Sequence, residues 1–363
     1  MFLLSELSAN DVWKSSGKLD VNRMEQPSVL LTAPYGAHSP SRGRPQSFWA
    51  GPSTAVGETS GAGLVGESDG LPTTAGCPAD VVRKSLSEHG VEVFLLDGVN
   101  VRKDAPGFER ALLRALAETG AGVILPIFYP EALADLRDRL ASLFPTISIS
   151  SATAVSPFCR AITFASGGQP VIIPLEAADK IRLLDNKLSA SRLATSLDIC
   201  QPRVYEDPTA EDIHFPVVFK RALGQGGDSV YFPRDRRALD RLLATAGECI
   251  VQEYIPGENV SVDALRWDGF FYAAAYRVLE PAGKGVSRLL DSIDYHGVCG
   301  VDFRVNDSGS YFLECNPRFS GGVASAVASG FDIPYLYYRL ALGLPVSAAD
   351  IHLTPGIRTG SLA

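Results

Sequence analysis

The chain has 363 residues, long enough for two or three packed units with cores of their own. A hydrophobic fraction of 46% with 20% charged residues is that of a globular protein. The 33 basic and 41 acidic side chains leave a net charge of −8, which argues against a nucleic-acid or membrane-surface partner, although a local cluster of Lys and Arg can still hold an anionic substrate.

The N-terminus has no basic leader and too short an apolar run for a secretory signal, so the cytoplasm is the expected compartment. Residues 1–27 are expected to be a poorly ordered leader. An apolar run at 28–33, closed by Pro-Tyr-Gly, predicts a buried strand and a turn. The stretch 36–78 is rich in Gly, Ser, Thr and Pro and is expected to be a mobile insertion. Order then returns as an alternation: a helix over 79–89 ending at Gly90, a strand over 91–96, a helix over 107–119 ending at Gly120, a strand over 122–127 and a helix over 130–143. Strands alternating with helices of this length predict a doubly wound, mostly parallel α/β sheet, with binding crevices at the strand ends.

Two β-like runs, 146–150 and 170–175, flank a segment that the pattern does not resolve. One helix is expected from about 177 to 197, with a break at Pro202. A small αβ unit follows: strand 216–221, a glycine loop, strand 229–232, helix 235–246 and strand 249–252. Runs at 259–266, 270–278, 298–305 and 310–315 then predict an antiparallel sheet, and a last helix covers 334–342. No internal repeat is found. The six cysteines (77, 159, 200, 249, 299 and 315) form no CxxC pair, so reduced thiols are expected rather than zinc or disulfides.

Three stretches carry chemistry. Lys220 ends a strand that enters the loop Gly224-Gln225-Gly226-Gly227. Glycines let backbone N–H groups approach a polyphosphate while the ammonium neutralises charge. This is no Walker A loop, and a plain β-hairpin with a glycine turn would look the same. Gln252-Glu253-Tyr254-Ile255 runs from a strand into a linker whose backbone can meet an adenine edge, with Glu258 placed to take ribose hydroxyls; an exposed acidic turn is the alternative. In the third stretch, Glu314 and Asn316 stand two apart on one strand and so share a face, and a turn at 306–309 can fold Asp302 beside them. Two carboxylates and an amide oxygen are the hard donors that Mg²⁺ prefers, with waters and phosphates filling the rest of its shell. Arg318, two residues further along, can clamp a phosphoryl group or a carboxylate. The competing reading, a surface salt-bridge hairpin, leaves the apolar flanks Val301, Phe303, Phe312 and Leu313 unexplained.

In this order the pieces resemble the ATP-grasp superfamily over about 181–343. Asp185-Asn186-Lys187 is similar to the family's first lysine segment, Lys220 to its second lysine, and Gln252, Glu253 and Ile255 with Glu258 to its adenine hinge and ribose acid. Glu314, Asn316 and Arg318 match the ExNxR motif, and Asp302 stands twelve residues before Glu314, where an added acidic ligand is common. The resemblance implies an α/β and α+β fold: an N-terminal α/β domain over 28–180, a lid subdomain over 181–252 and a C-terminal lobe of mainly antiparallel sheet over 253–363. It implies ATP with Mg²⁺ or Mn²⁺ as cofactors. Lys187, Lys220, Gly226 and Gly227 would lie on the phosphates, the metal on Asp302, Glu314 and Asn316, and the charge at the reacting centre against Arg318. Three departures accompany it, one of them the unusual insertion at 36–78. The segment 285–294 leads almost directly into Tyr295, leaving no room for the helix that family members place there, and the chain stops at Ala363, where the resemblance implies a further strand.

The implied activity is an ADP-forming carboxylate–amine ligase using small-molecule carboxylate and amine substrates, the amine an amino acid or peptide, nearest to amino-acid and peptide ligases and the carbamoyl-phosphate-synthetase-like branch. No nucleic acid or membrane is involved, and a homo-oligomer is allowed. Arg277 and Lys284 fall where such enzymes meet the acceptor and can bind its carboxylate; a solvated charged loop is the equal alternative. A bicarbonate-using carboxylase or carbamoyl-forming enzyme, and an inert ATP-binding scaffold, are the rival functions. DFG and the kinase catalytic loop are absent from the sequence.

Overall fold

A computed structural model of the chain describes residues 28–33, 78–97, 105–127, 129–143, 146–150, 155–163, 170–224, 229–267, 270–275 and 280–352. The leader, nearly all of the 36–78 insertion, Gly226, Gly227 and Arg277 lie outside these residues.

The N-terminal sheet has six strands: β1 (Val29–Ala33), β2 (Val93–Asp97), β3 (Val123–Pro126), β4 (Thr146–Ser150), β5 (Val155–Thr163) and β6 (Pro170–Ile172). Their order is β2-β1-β3-β6-β5-β4. The pairs β1–β2, β1–β3 and β3–β6 are parallel, whereas β5 and β4 join antiparallel at the edge. Central β1 alternates its side chains between two cores, Leu30 into one and Val29 with Leu31 into the other. The crossovers contain α1 (Pro78–Glu88), α2 (Ala105–Thr119) and α3 (Pro130–Leu143). Gly90 and Gly120, at positive φ of 77° and 64°, end the first two helices as expected.

The expected single helix over 177–197 is two helices, α4 (Ala178–Asp185) and α5 (Lys187–Ser196). Asn186 breaks them: it is extended, and its side chain accepts from the N–H groups of Leu188 (2.9 Å) and Ser189 (3.1 Å), capping α5. The small unit that follows contains β7 (Val217–Arg221), β8 (Val230–Tyr231), α6 (Arg236–Leu243) and β9 (Cys249–Glu253), with strand order β8-β7-β9. It has a separate small core of Tyr205, Ile213, Val217, Phe219, Leu239 and Val251.

The C-terminal sheet is antiparallel, in the order β11-β10-β12-β13, from β10 (Glu258–Trp267), β11 (Phe270–Ala275), β12 (Gly297–Asn306) and β13 (Gly309–Asn316). One face sends Val262, Ala264, Cys299, Val301, Phe303, Phe312 and Cys315 into the core shared with α4, α5 and the N-terminal sheet. The other face is covered at one end by α8 (Val323–Ala328) and α9 (Ile333–Ala341) over Leu265, Trp267 and Val298. Its remaining end carries the polar side chains.

One expectation is corrected. The segment before Tyr295 is not too short for a helix: α7 (Glu280–Ser292) fills it. Pro281, Gly283 and Gly285 hide the helix from propensity, but Ala282, Val286, Leu289 and Leu290 recur at helical spacing and are buried in the main core. Burial outweighs propensity here. Lys284 accordingly stands exposed on a helix and not in a loop. The short α8 is a further helix absent from the sequence reading.

Candidate active site

Register across the C-terminal sheet sets the site. Ser261 on β10 pairs with Asp302 on β12, and Asp302 pairs with Glu314 on β13. One step along, Asp263 pairs with Gly300 and Gly300 with Asn316. Cross-strand partners project to one face, so these side chains form a polar patch opposite the core. A bulge makes this possible. Asp302 pairs with Glu314 but Phe303 with Phe312, leaving Leu313 as the extra residue of β13. Strict alternation would point Phe312 and Glu314 the same way; the extra residue lets Phe312 enter the core while Glu314 faces the site.

Two lysines converge on this patch from other elements. Lys187 opens α5 directly after the Asn186 cap. Its Nζ donates to the Gly224 carbonyl (2.9 Å) and lies 3.2 Å from Glu314 Oε2. Lys220 of β7 donates from Nζ to the Leu313 carbonyl at 3.2 Å, the carbonyl of the bulged residue. Both lysines are buried. Burial pushes the Lys220 ammonium down to about 8, helped by Lys187 and opposed by Glu314 and Asp302. Burial and the neighbouring Glu314 push Asp302 up, against a hydrogen bond donated by Ser261 Oγ to Asp302 Oδ1. Burial also acts upward on Glu314, but the two lysines outweigh it and hold this carboxylate below its ordinary value. The pair is thus split: one carboxylate faces two cations, the other faces a hydroxyl and a second acid.

Arg318 is not on the strand, which ends at Asn316, but on the turn after it. Its N–H donates to the Asn316 carbonyl (2.7 Å), and its guanidinium reaches back to Asn316 Oδ1 (3.0 Å) and to the Phe319 carbonyl (3.2 Å). Burial lowers its pKa, countered by four carboxylates: Asp185, Glu314, Asp302 and Glu131. The last belongs to α3, so the N-terminal domain contributes to the field around Arg318.

The hinge residues lie on β9 and the linker to β10. Gln252 is buried and pairs with Val218. Glu253 does not project freely: Oε1 accepts from the Arg203 N–H (2.8 Å), and its own N–H donates to the Arg203 carbonyl (2.9 Å). Ile255 is half-buried, and Glu258 stands exposed at the first position of β10. Arg304, which sequence reasoning missed, ties this linker to β12 by donating to the Gly257 carbonyl at 2.8 Å. Gly257, at a φ of 150°, approaches so closely that a Cβ there would overlap the Val305 carbonyl. Ser261 and Asp263 were also missed, although their spacing of two on a strand-like run carried the signal.

Among the described residues, no group of three or more His, Cys, Asp or Glu side chains is arranged to hold a metal ion. The donor set Asp302, Glu314 and Asn316 still fits Mg²⁺, which keeps several positions for water and phosphate oxygens and takes one or two carboxylates from the protein.

A three-stranded sheet that sends a lysine onto a carboxylate-bearing antiparallel sheet, with a second lysine at a helix start between them, is the architecture of an ATP-dependent ligase fold. Residues 178–270 match a family model described as an ATP-grasp domain, and residues 245–362 match one described as ATP-grasp in the biosynthetic pathway with Ter operon. The chain belongs to the ATP-grasp superfamily. It is 45% identical over 56 residues to a 5-formaminoimidazole-4-carboxamide-1-(beta)-D-ribofuranosyl 5'-monophosphate synthetase of Pyrobaculum neutrophilum, a match covering 15% of this chain and 16% of that protein. Solved structures extend the likeness of fold. The L-amino acid ligase of Bacillus licheniformis aligns at TM-score 0.58 and 12% identity over 90% of this chain and 77% of its own. Biotin carboxylase of Campylobacter jejuni aligns at 0.54 and 14%, over 76% and 71%. The N5-carboxyaminoimidazole ribonucleotide synthetase of Thermus thermophilus aligns at 0.51 and 16%, over 74% and 77%. No helix among the described residues is long and apolar enough to cross a membrane.

Proposed function

We propose that the chain is a Mg-ATP-dependent ligase that joins a small-molecule carboxylate to an amine, forming ADP and phosphate. The observation that carries this reading is the convergence of Lys187, Lys220, Asp302, Glu314, Asn316 and Arg318 from four separate segments onto one face of the C-terminal sheet. Such an assembly of buried cations against half-buried carboxylates costs folding free energy and is characteristic of a site where charge is handled.

In this reading Lys187 and Lys220 take the phosphate oxygens of ATP, exchanging their contacts with Glu314 and the Gly224 and Leu313 carbonyls for stronger charge-assisted ones. A divalent ion held by Asp302, Glu314 and Asn316 would neutralise charge on the transferring phosphoryl group. A carboxylate oxygen of the substrate attacks the γ-phosphorus, the bond to the β–γ bridging oxygen breaks, and ADP leaves. The amine then attacks the acyl carbon, loses a proton and expels phosphate. Arg318 would stabilise the added negative charge in both steps. Positioning and electrostatics suffice for this chemistry, and it requires no protein nucleophile. Gln252, Glu253 and Ile255 would line the adenine edge and Glu258 the ribose. Arg277 and the glycines at 226 and 227 keep the roles that the resemblance implies, as proposals.

A bicarbonate-using reaction is the second reading, since biotin carboxylase is among the folds aligned. An inert scaffold loses one of its grounds, because α7 supplies the helix that the sequence appeared to lack. The test is ADP and phosphate release by purified protein with Mg-ATP and a panel of amino acids, other carboxylates and bicarbonate. Acceptor-dependent turnover that Glu314→Ala abolishes supports the ligase. Nucleotide binding without turnover for every acceptor sinks it.

A further inference from the structure

One row of side chains on β10 leads from the paired carboxylates into the core. Ser261, Asp263 and Leu265 alternate onto the same face. Ser261 donates to Asp302, and Leu265 is fully buried with Trp267 beneath α8 and α9. Asp263 stands between them, 5% exposed, and accepts a 2.6 Å hydrogen bond from Ser320 Oγ at Oδ1. Ser320 Oγ in turn accepts from the Gly322 N–H at 2.8 Å. A backbone amide, a hydroxyl and a carboxylate thus form a short relay.

The register explains how Ser320 reaches in. Asp263 and Asn316 flank Gly300 across three strands. With no side chain at 300, a gap opens in the sheet's surface, and Ser320 fills it; a Cβ at 300 would overlap Ser320 Cβ. Gly322 is under a second constraint, since a Cβ there would stand 2.8 Å from Asp263 Oδ2. The turn is therefore held at both ends, by Asn316 at its start and by Asp263 through Ser320 at its finish, and Arg318 lies between. As a device for stability alone this is a poor choice, because a buried carboxylate is costly and an apolar side chain of similar size would hold the turn as well. What the carboxylate adds is direction.

We infer that Asp263 is a positioning residue for the reaction: acting through Ser320, it fixes the turn 317–322 and so sets where the Arg318 guanidinium stands over Asp302 and Glu314. The kinetic part of this inference rests on the ligase reading; the structural part does not. Asp263→Ala and Ser320→Ala remove the two halves of the relay, while Asp263→Asn keeps an acceptor oxygen. In both Ala variants the backbone amides of 318–322 should exchange hydrogen at least about tenfold faster and kcat should fall at least about tenfold. The Kd for Mg-ADP should stay within about threefold, because the nucleotide and metal ligands are untouched. Asp263→Asn should recover most of both losses. Unchanged exchange and kcat in the Ala variants overturn the inference, as does loss of Mg-ADP affinity in parallel with kcat, the mark of a general structural role. If Asp263→Ala does not fold, Ser320→Ala carries the same comparison. A wild-type protein that neither binds Mg-ADP nor forms ADP with any acceptor refutes the ligase reading, and the exchange measurement still decides the positioning of the turn.

Discussion

The three-stranded sheet and the C-terminal sheet both present a buried lysine or its partners to the same site, yet they are built differently. The three-stranded sheet rests on six buried residues of its own, Phe219 and Leu239 among them. The C-terminal sheet is wedged between two cores that also contain the N-terminal strands and α7, α8 and α9. A small core with few ties to the rest can open locally at low cost, whereas a shared core opens only with the whole fold. The difference teaches that Asp302 and Glu314 stand on a sheet tied into both large cores, while Lys220 stands on the sheet with fewer such ties.

The largest expected effect concerns the C-terminal sheet. Glu314→Ala should lower acceptor-dependent ADP formation by about 10³-fold or more, since it removes a preorganised charge and frees Lys187 from its partner. Steady-state kinetics at saturating Mg²⁺ would show it, and a loss under tenfold would mean that Glu314 is not at the reacting centre. The comparison itself is sharpened by a pair of core deletions. Phe303→Ala, in the shared core, should cost about 3–5 kcal/mol in global unfolding measured by denaturant. Phe219→Ala should instead raise hydrogen exchange in 217–253 well before the main transition moves. Equal global losses for both would erase the distinction drawn between the two sheets.

Lys220→Met should weaken nucleotide binding by about 10-fold to 100-fold in calorimetry, while leaving the thermal transition of the main body near wild type. The smallest effect is at the joint between the domains. Glu176 is buried, accepting from the N–H groups of Ala177 (2.8 Å) and His296 (3.1 Å) and from Lys180 Nζ (3.2 Å). Burial pushes this carboxyl up, but contacts with His296, Ala177 and Lys180 outweigh burial, and the net shift is downward. A depressed folded value stabilises the fold above the ordinary carboxylate range, and the contribution fades as pH falls through that folded value. Glu176→Gln should therefore be less stable at neutral pH, with the gap to wild type narrowing in acid. A gap that is constant with pH would remove Glu176 as the source.

Much of this was legible in the residues. The strands of the C-terminal sheet announce themselves by apolar alternation, and acidic side chains set among Val301, Phe303 and Phe312 mark a buried charged face. The parallel order of β1, β2 and β3 follows from alternation with helices. Other features were hidden for physical reasons. The helix α7 contains one proline and two glycines near its start, and only tertiary burial of Val286, Leu289 and Leu290 makes it helical. The break at Asn186 depends on a side chain turning back to cap the following helix, a choice that helical periodicity does not reveal. Asp263 and Arg304 sit within strand patterns like any solvent-facing residue, and their burial depends on what a distant turn or linker places above them.

The bulge at Leu313 separates two halves of one hairpin that are out of phase with each other. Loss of Leu313 would keep Phe312 toward the core and Glu314 and Asn316 toward the site by plain alternation, but would remove the carbonyl that accepts from Lys220; closing the bulge at unchanged length would instead turn Glu314 and Asn316 into the core, with Cys315 outward in their place. Beyond the bulge the ribbon ends at a tip over residues 306–309, which touches none of the site's side chains through register. Evolution or an engineer can lengthen that tip only beyond Asn306, whose amide donates to the Pro256 carbonyl of the linker before β10, whereas the chain length between Leu313 and Asn316 is frozen.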